Sequence, residues 1–73
     1  MENNTGYTIF NSYLKGFLDK DDLFSSNLSI AKIFDNEMQC KTQITRVSKQ
    51  YKEVEAYNEN NMEIKKVSIA IIE

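Results

Sequence analysis

The sequence predicts an α+β fold: two or three N-terminal helices followed by a C-terminal antiparallel β-hairpin or small sheet. Three observations predict it. Apolar residues recur at helical spacing over residues 7–18, and again over 40–54. The run Met62–Ile72 is rich in Ile and Val and partly alternates. Between these segments lie short clusters of Asp and Asn, residues that favour turns.

The first segment is YTIFNSYLKGFL, in which Tyr7, Phe10, Leu14, Phe17 and Leu18 fall on one helical stripe with Tyr13 beside it. Thr5 is placed to cap its start. Gly16 costs about 1 kcal/mol in a helix relative to Ala, so its presence marks the close approach of another element. The acids of Asp19-Lys20-Asp21-Asp22 would oppose the dipole at a helix C-terminus, so they are expected in a turn. A calcium loop there needs a further ligand and then a Gly, and those positions hold Leu23 and Phe24.

The second apolar segment, Leu23–Phe34, has Ser26 or Asn27 as a natural N-cap. In LSIAKIF, residues Leu28, Ile30, Ala31, Ile33 and Phe34 then form a broad apolar face. Asp35-Asn36 is the next expected break. Beyond it, Cys40, Ile44, Val47, Tyr51 and Val54 recur at spacings of four, three, four and three, which predicts a helix over about 39–52. The side-chain types of this stretch (Thr42, Ile44, Thr45, Val47, Tyr51) are those of strands, and the strand alternative stays open at this point. Asn58-Glu59-Asn60-Asn61 reads as a turn in which Asn supplies unusual backbone angles. Met62–Ile72 reads as a strand covered on both sides near its end. Its expected partner is Tyr51–Tyr57, or the same strand in a second copy of the chain.

Seventy-three residues make one domain, 1–73, with 1–4 expected to be flexible. A hydrophobic fraction of 41% is enough to build a core, but a small one, so self-association or a bound partner is expected to complete it. The lone cysteine, Cys40, forms no internal disulfide and lies on the apolar stripe, which predicts a buried, inert thiol. The polar start MENNTGY and the absence of a long apolar run predict a cytoplasmic protein with no membrane span.

Histidine is absent, which removes the commonest general base and metal ligand, and no glycine-rich phosphate loop is present. These features predict a non-enzymatic protein without metal or cofactor. Asn, Lys and Ile occur eight times each against a single Arg, the bias of AT-rich coding. Together they predict a small intracellular interaction protein of the phage- or mobile-element type. Such a protein would inhibit or modulate a host protein sterically, with Tyr13, Tyr51 and Tyr57 as aromatic anchors.

The alternative rests on KTQITRVSKQYK, residues 41–52, which carries four cations and no acid in a chain of net charge −2. As a helix it places Lys41, Lys49 and Lys52 on one face, with Gln43, Arg46 and Gln50 between that face and the apolar one. The segment LSIAKIF-DNE-MQCKTQITRVSK resembles the rhythm of a winged helix-turn-helix. That resemblance implies a DNA-binding regulator in which Arg46, Gln43 or Gln50 reads base edges and Lys41, Lys49 and Lys52 contact phosphates. An acidic protein partner for the same cations is a further expectation, as is self-assembly through the C-terminal strand.

Overall fold

The computed structural model describes the backbone of residues 3–70 and the side chains of residues 5–68. It holds one α-helix and a four-stranded antiparallel sheet, not two or three helices before a hairpin. The strands are β1 (Asn3–Asn11), β2 (Gly16–Leu18), β3 (Phe24–Ser25) and β4 (Met62–Ala70), in the order β3-β2-β1-β4. The helix α1 spans Glu37–Gln50 and packs on β1 and β4.

The first expected helix is therefore a correction. Residues 7–18 form most of β1, a turn, and β2. The helical stripe leaves out Ile9, yet Ile9 is fully buried. In a strand, alternation sends Tyr7 and Ile9 to one face and Thr8 and Phe10 to the other, which buries Ile9, while Tyr13 and Leu14 in the turn stay exposed. Phe10 stands opposite Phe17 across the β1–β2 pair, their ring centroids 5.1 Å apart. The expected close approach at Gly16 is that of the β3 backbone: a Cβ at Gly16 would lie 2.9 Å from the Ser25 nitrogen.

The second expected helix is also absent. Only a single 3₁₀ turn, Leu28–Ile30, forms after Asn27, whose side chain accepts from the Ser29 N–H. The chain then runs along the sheet: Lys32 N–H donates to the Leu18 carbonyl, and Tyr7 and Phe34 exchange backbone hydrogen bonds of 2.9 and 2.7 Å. A seven-residue helix is marginal in water, whereas these sheet bonds satisfy the backbone and bury Phe34.

The winged helix-turn-helix resemblance falls with these two corrections. No α-helix precedes α1 among the described residues to form the first half of the motif. The expected hairpin of Tyr51–Tyr57 with the last strand is missing as well. Residues 55–57 and 59–61 are 3₁₀ turns, and β4 pairs instead with β1 along nine residues, from Asn3 opposite Ala70 to Asn11 opposite Met62. Two long strands far apart in sequence satisfy more ladder bonds than the short local hairpin would.

The third helix does form, two residues earlier than its spacing suggested. Asn36 caps it by accepting from the Gln39 N–H at 2.9 Å. Cys40 and Val47 are buried and Ile44 and Tyr51 half-buried, as the stripe requires, while Val54, beyond the helix end, is exposed and Gln43, expected between the faces, is buried. The core gathers Ile9 of β1, Leu18 of β2, Phe34, Cys40 of α1 and Met62 of β4, with Tyr7, Phe24, Ile44 and Ile64 packed against them.

Positive backbone φ angles occur at Lys15 (57°) and Asp22 (61°), in the two hairpin turns, and not at the Asn cluster 58–61. The turn at 19–22 is present: the Asp19 side chain accepts from the N–H groups of Asp21 and Leu23. The free-end expectation for 1–4 falls partly on Met1 and Glu2, outside the described residues, and β1 begins at Asn3. The expectation that the last strand is covered on both faces concerns side chains of 69–72, also outside them.

Candidate interaction surface

The apolar stripe of α1 faces the sheet, so its opposite side faces solvent. Met38, Thr42, Thr45 and Lys49 follow one another there at spacings of four, three and four, with Lys41 and Arg46 on either flank. Met38 is 69% exposed, an apolar side chain on the charged side of the helix. Beside it, the extended segment 31–34 is held against β1 and β2, which leaves Ile33 41% exposed.

An open groove of about 470 Å³ lies between the segment and the helix, with Ile33, Phe34, Met38 and Thr42 among its walls. Lys32 borders it, its ammonium 5.4 Å from the Phe34 ring centroid. A second open depression of about 390 Å³ runs along the helix between Lys41, Thr42, Thr45, Arg46 and Lys49. The two share Thr42, so an apolar groove continues into a cationic shelf.

The residues proposed to read bases are not equivalent. Gln43 is buried. Its amide nitrogen donates to Asp22 Oδ1 at 3.0 Å, and its oxygen accepts from Arg46 Nη2 at 2.9 Å. Arg46 also stands 3.8 Å from Asp22 Oδ2, yet much of its side chain remains exposed. Gln50 donates to the Tyr51 hydroxyl at 3.3 Å. Lys41 and Lys49 are exposed on the outer face, and Lys52 lies beyond the helix end. The helix therefore brings Lys41, Arg46 and Lys49 together, and withdraws Gln43.

The three tyrosines expected as anchors are separated in role. Tyr51 and Tyr57 are half-buried and pack against each other with tilted rings, centroids 4.8 Å apart, and Phe24 is edge-on to Tyr57 at 5.3 Å. They pin the end of α1 to the β2–β3 hairpin. Tyr13 sits in the β1–β2 turn, 56% exposed. Ile33 was expected on a helix's apolar face, and neither it nor Met38 was singled out as a contact residue from the sequence. Met38 was discoverable, because a helix started at Glu37 puts it opposite the Cys40–Ile44–Val47 stripe. Ile33 was not, because its exposure follows from the segment being extended.

Burial pushes the Cys40 thiol above its usual range, with Glu37 adding to the effect. The Tyr57 phenol is raised chiefly by burial, then by Tyr51, Asp22 and Asp19. Neither group is a poised nucleophile at neutral pH. Both bind their protons more tightly folded than unfolded, so stability is full at neutral pH. It should decline as pH rises past the unfolded thiol value, about 8.5, and again past about 10 for the phenol. Urea midpoints should therefore fall progressively in this alkaline range, and less steeply in a Cys40→Ala variant between the two values. Midpoints that stay level to pH 10 would contradict this assignment. Among the described residues no three His, Cys, Asp or Glu side chains cluster as a metal site. None of the helices there is long and apolar enough to cross a membrane.

Fold and surface together define a small sheet-and-helix domain whose distinguishing feature is an open face, apolar at one end and cationic at the other. No family model, curated protein or solved structure matches the chain.

Proposed function

We propose that this chain is a small, non-enzymatic interaction protein that engages a protein partner through segment 31–34 and the outer side of α1. The observation that supports the reading is the exposure of Ile33 and Met38 on the two walls of one groove. Large apolar side chains held in the open beside polar neighbours are the usual anchors of a protein contact. Binding over this face acts sterically, in keeping with a modulator of the phage- or mobile-element type. Tyr51 and Tyr57, already packed against each other, support the fold more than the contact.

The test is affinity capture from nuclease-treated host lysate with the tagged full chain, beside Met38→Asp and Ile33→Asp variants. Both positions are exposed, so the variants keep their fold by circular dichroism. A discrete protein should co-purify with the parent and be lost with either variant, while Ser68→Asp, remote on β4, should retain it. Capture of nothing, or capture indifferent to all three substitutions, would remove the reading.

A further inference from the structure

Resting on that docking reading, we infer that the occupant of this face is an acidic, amphipathic segment of a protein, its apolar residue in the groove and its carboxylates on the shelf. The argument is charge complementarity on an otherwise acidic chain. The net charge is −2, yet Lys32, Lys41, Arg46 and Lys49 border this one continuous surface. Seven of the eleven acids lie in the 19–22 turn and in residues 53–63, and of these Asp22 stands beside Arg46.

Arg46 is the preorganised member. Gln43, itself buried, holds one guanidinium nitrogen at 2.9 Å, while Asp22 at 3.8 Å leaves the group incompletely paired. The remaining guanidinium donors are suited to a carboxylate, which arginine binds in a two-pronged geometry.

The dimensions follow from the helix. Met38 and Lys49 are eleven residues apart, about 16 Å along the axis. A segment whose apolar residue sits at Met38 and Ile33 meets Lys41 one turn further on, and Lys49 about two turns beyond that. An extended strand covers this span in about five residues, so one anchor and two or three acids within a short segment satisfy the whole surface.

Nucleic acid fits less well. Single strands dock by stacking bases on exposed aromatic rings, and the aromatic ring on this face, Phe34, is buried. A duplex would meet an acidic domain.

The experiment titrates the isotope-labelled full chain with three probes, followed by amide chemical shifts. They are a short synthetic peptide of leucines spaced among glutamates, its glutamine counterpart, and a DNA duplex. The glutamate peptide should shift amides of residues 32–34 and 38–49, with affinity about tenfold above the glutamine peptide. Lys41→Glu/Lys49→Glu should abolish that preference, and the difference should shrink at high salt.

Equal binding of the two peptides, shifts centred elsewhere, or tighter binding of the duplex would each overturn the inference. So would displacement of the peptide by a second copy at rising protein concentration. A lysate partner lost with Met38→Asp but indifferent to Lys41→Glu/Lys49→Glu would overturn the acidic class while leaving the docking reading intact.

Discussion

Replacing Asn11 with alanine should destabilise the protein by about 3 kcal/mol, enough to populate the unfolded state of so small a domain. Asn11 is fully buried at the end of β1. Its amide nitrogen donates to the Ala56 carbonyl at 2.6 Å. Its oxygen accepts from the N–H groups of Tyr13 and Leu14, both at 2.9 Å. One side chain thus satisfies three backbone groups in two turns, the β1–β2 turn and the 3₁₀ turn Glu55–Tyr57 that leads toward β4. Alanine leaves all three without that partner: the Ala56 carbonyl, in a buried bond, costs about 1–3 kcal/mol, and the part-buried Tyr13 and Leu14 N–H groups add less because water reaches that turn.

Asn11→Asp separates the two halves of the network. Its carboxylate still accepts from Tyr13 and Leu14, but at neutral pH it faces the Ala56 carbonyl with no proton to donate. The buried acid is therefore bound to its proton more tightly folded than unfolded. Its stability is present below the unfolded value of about 3.9 and is lost as pH rises through the folded one. Urea denaturation followed by circular dichroism should show Asn11→Asp closer to the parent near pH 4 than at pH 7, and Asn11→Ala low at both. A cost below about 1 kcal/mol for Asn11→Ala would mean that water replaces the amide freely and that this network does not hold the turns.

Gly16→Ala should lower stability by about 1–3 kcal/mol. The direction is informative, because the same substitution at an unstrained site usually stabilises by about 0.4–1 kcal/mol through the unfolded chain. Gly16 has no positive φ, so backbone conformation imposes no penalty. The obstacle is space. A Cβ would lie 2.9 Å from the nitrogen of Ser25, and 3.0 Å from its carbonyl carbon and oxygen. These are backbone atoms of β3, which is only two residues long and pairs with β2 through Phe17–Ser25 and Leu18–Phe24. For alanine to fit, β3 must move away from β2, taking Phe24 from its edge contact with Tyr57. A melting temperature lower by roughly 4–8 °C per kcal/mol should result. Faster amide exchange at Phe24 and Ser25 than in the parent should accompany it. A rise in melting temperature would show that β3 yields without cost.

Gly16 and Asn11 also show where local pattern runs out. Gly16 stood out in the sequence as a residue out of place in a helix, and a close approach was the correct inference. That the approaching element is the backbone at Ser25 depends on β3, which two residues cannot announce. Asn11 carried no signal at all, because a buried Asn and a surface Asn look alike until the carbonyl of Ala56 arrives from 45 positions away.

The helical period at residues 7–18 misled for a specific reason. Tyr7, Phe10, Leu14 and Phe17 keep helical spacing because they serve two faces of two strands joined by a turn. Ile9, off that stripe, goes fully to the core alongside Leu18.

By itself the sequence pointed to a helix near α1, with a strand left open there, and to a strand at β4. The Cys40–Ile44–Val47 spacing suits one buried side of a helix, Asp35-Asn36 marks a break before it, and the β-branched run after Met62 favours extended backbone. It also determined that Cys40 is buried, since the thiol sits on that same stripe. Only the tertiary structure decided that β4 pairs with β1 rather than with residues 51–57, and that 31–34 lies along the sheet rather than in a helix. It alone placed Ile33 and Met38 on two walls of one groove beside Lys41, Arg46 and Lys49. Periodicity along a chain reports which side chains share a face. Which distant segment covers that face depends on non-local hydrogen bonds and packing, and these exist only once the chain has closed on itself.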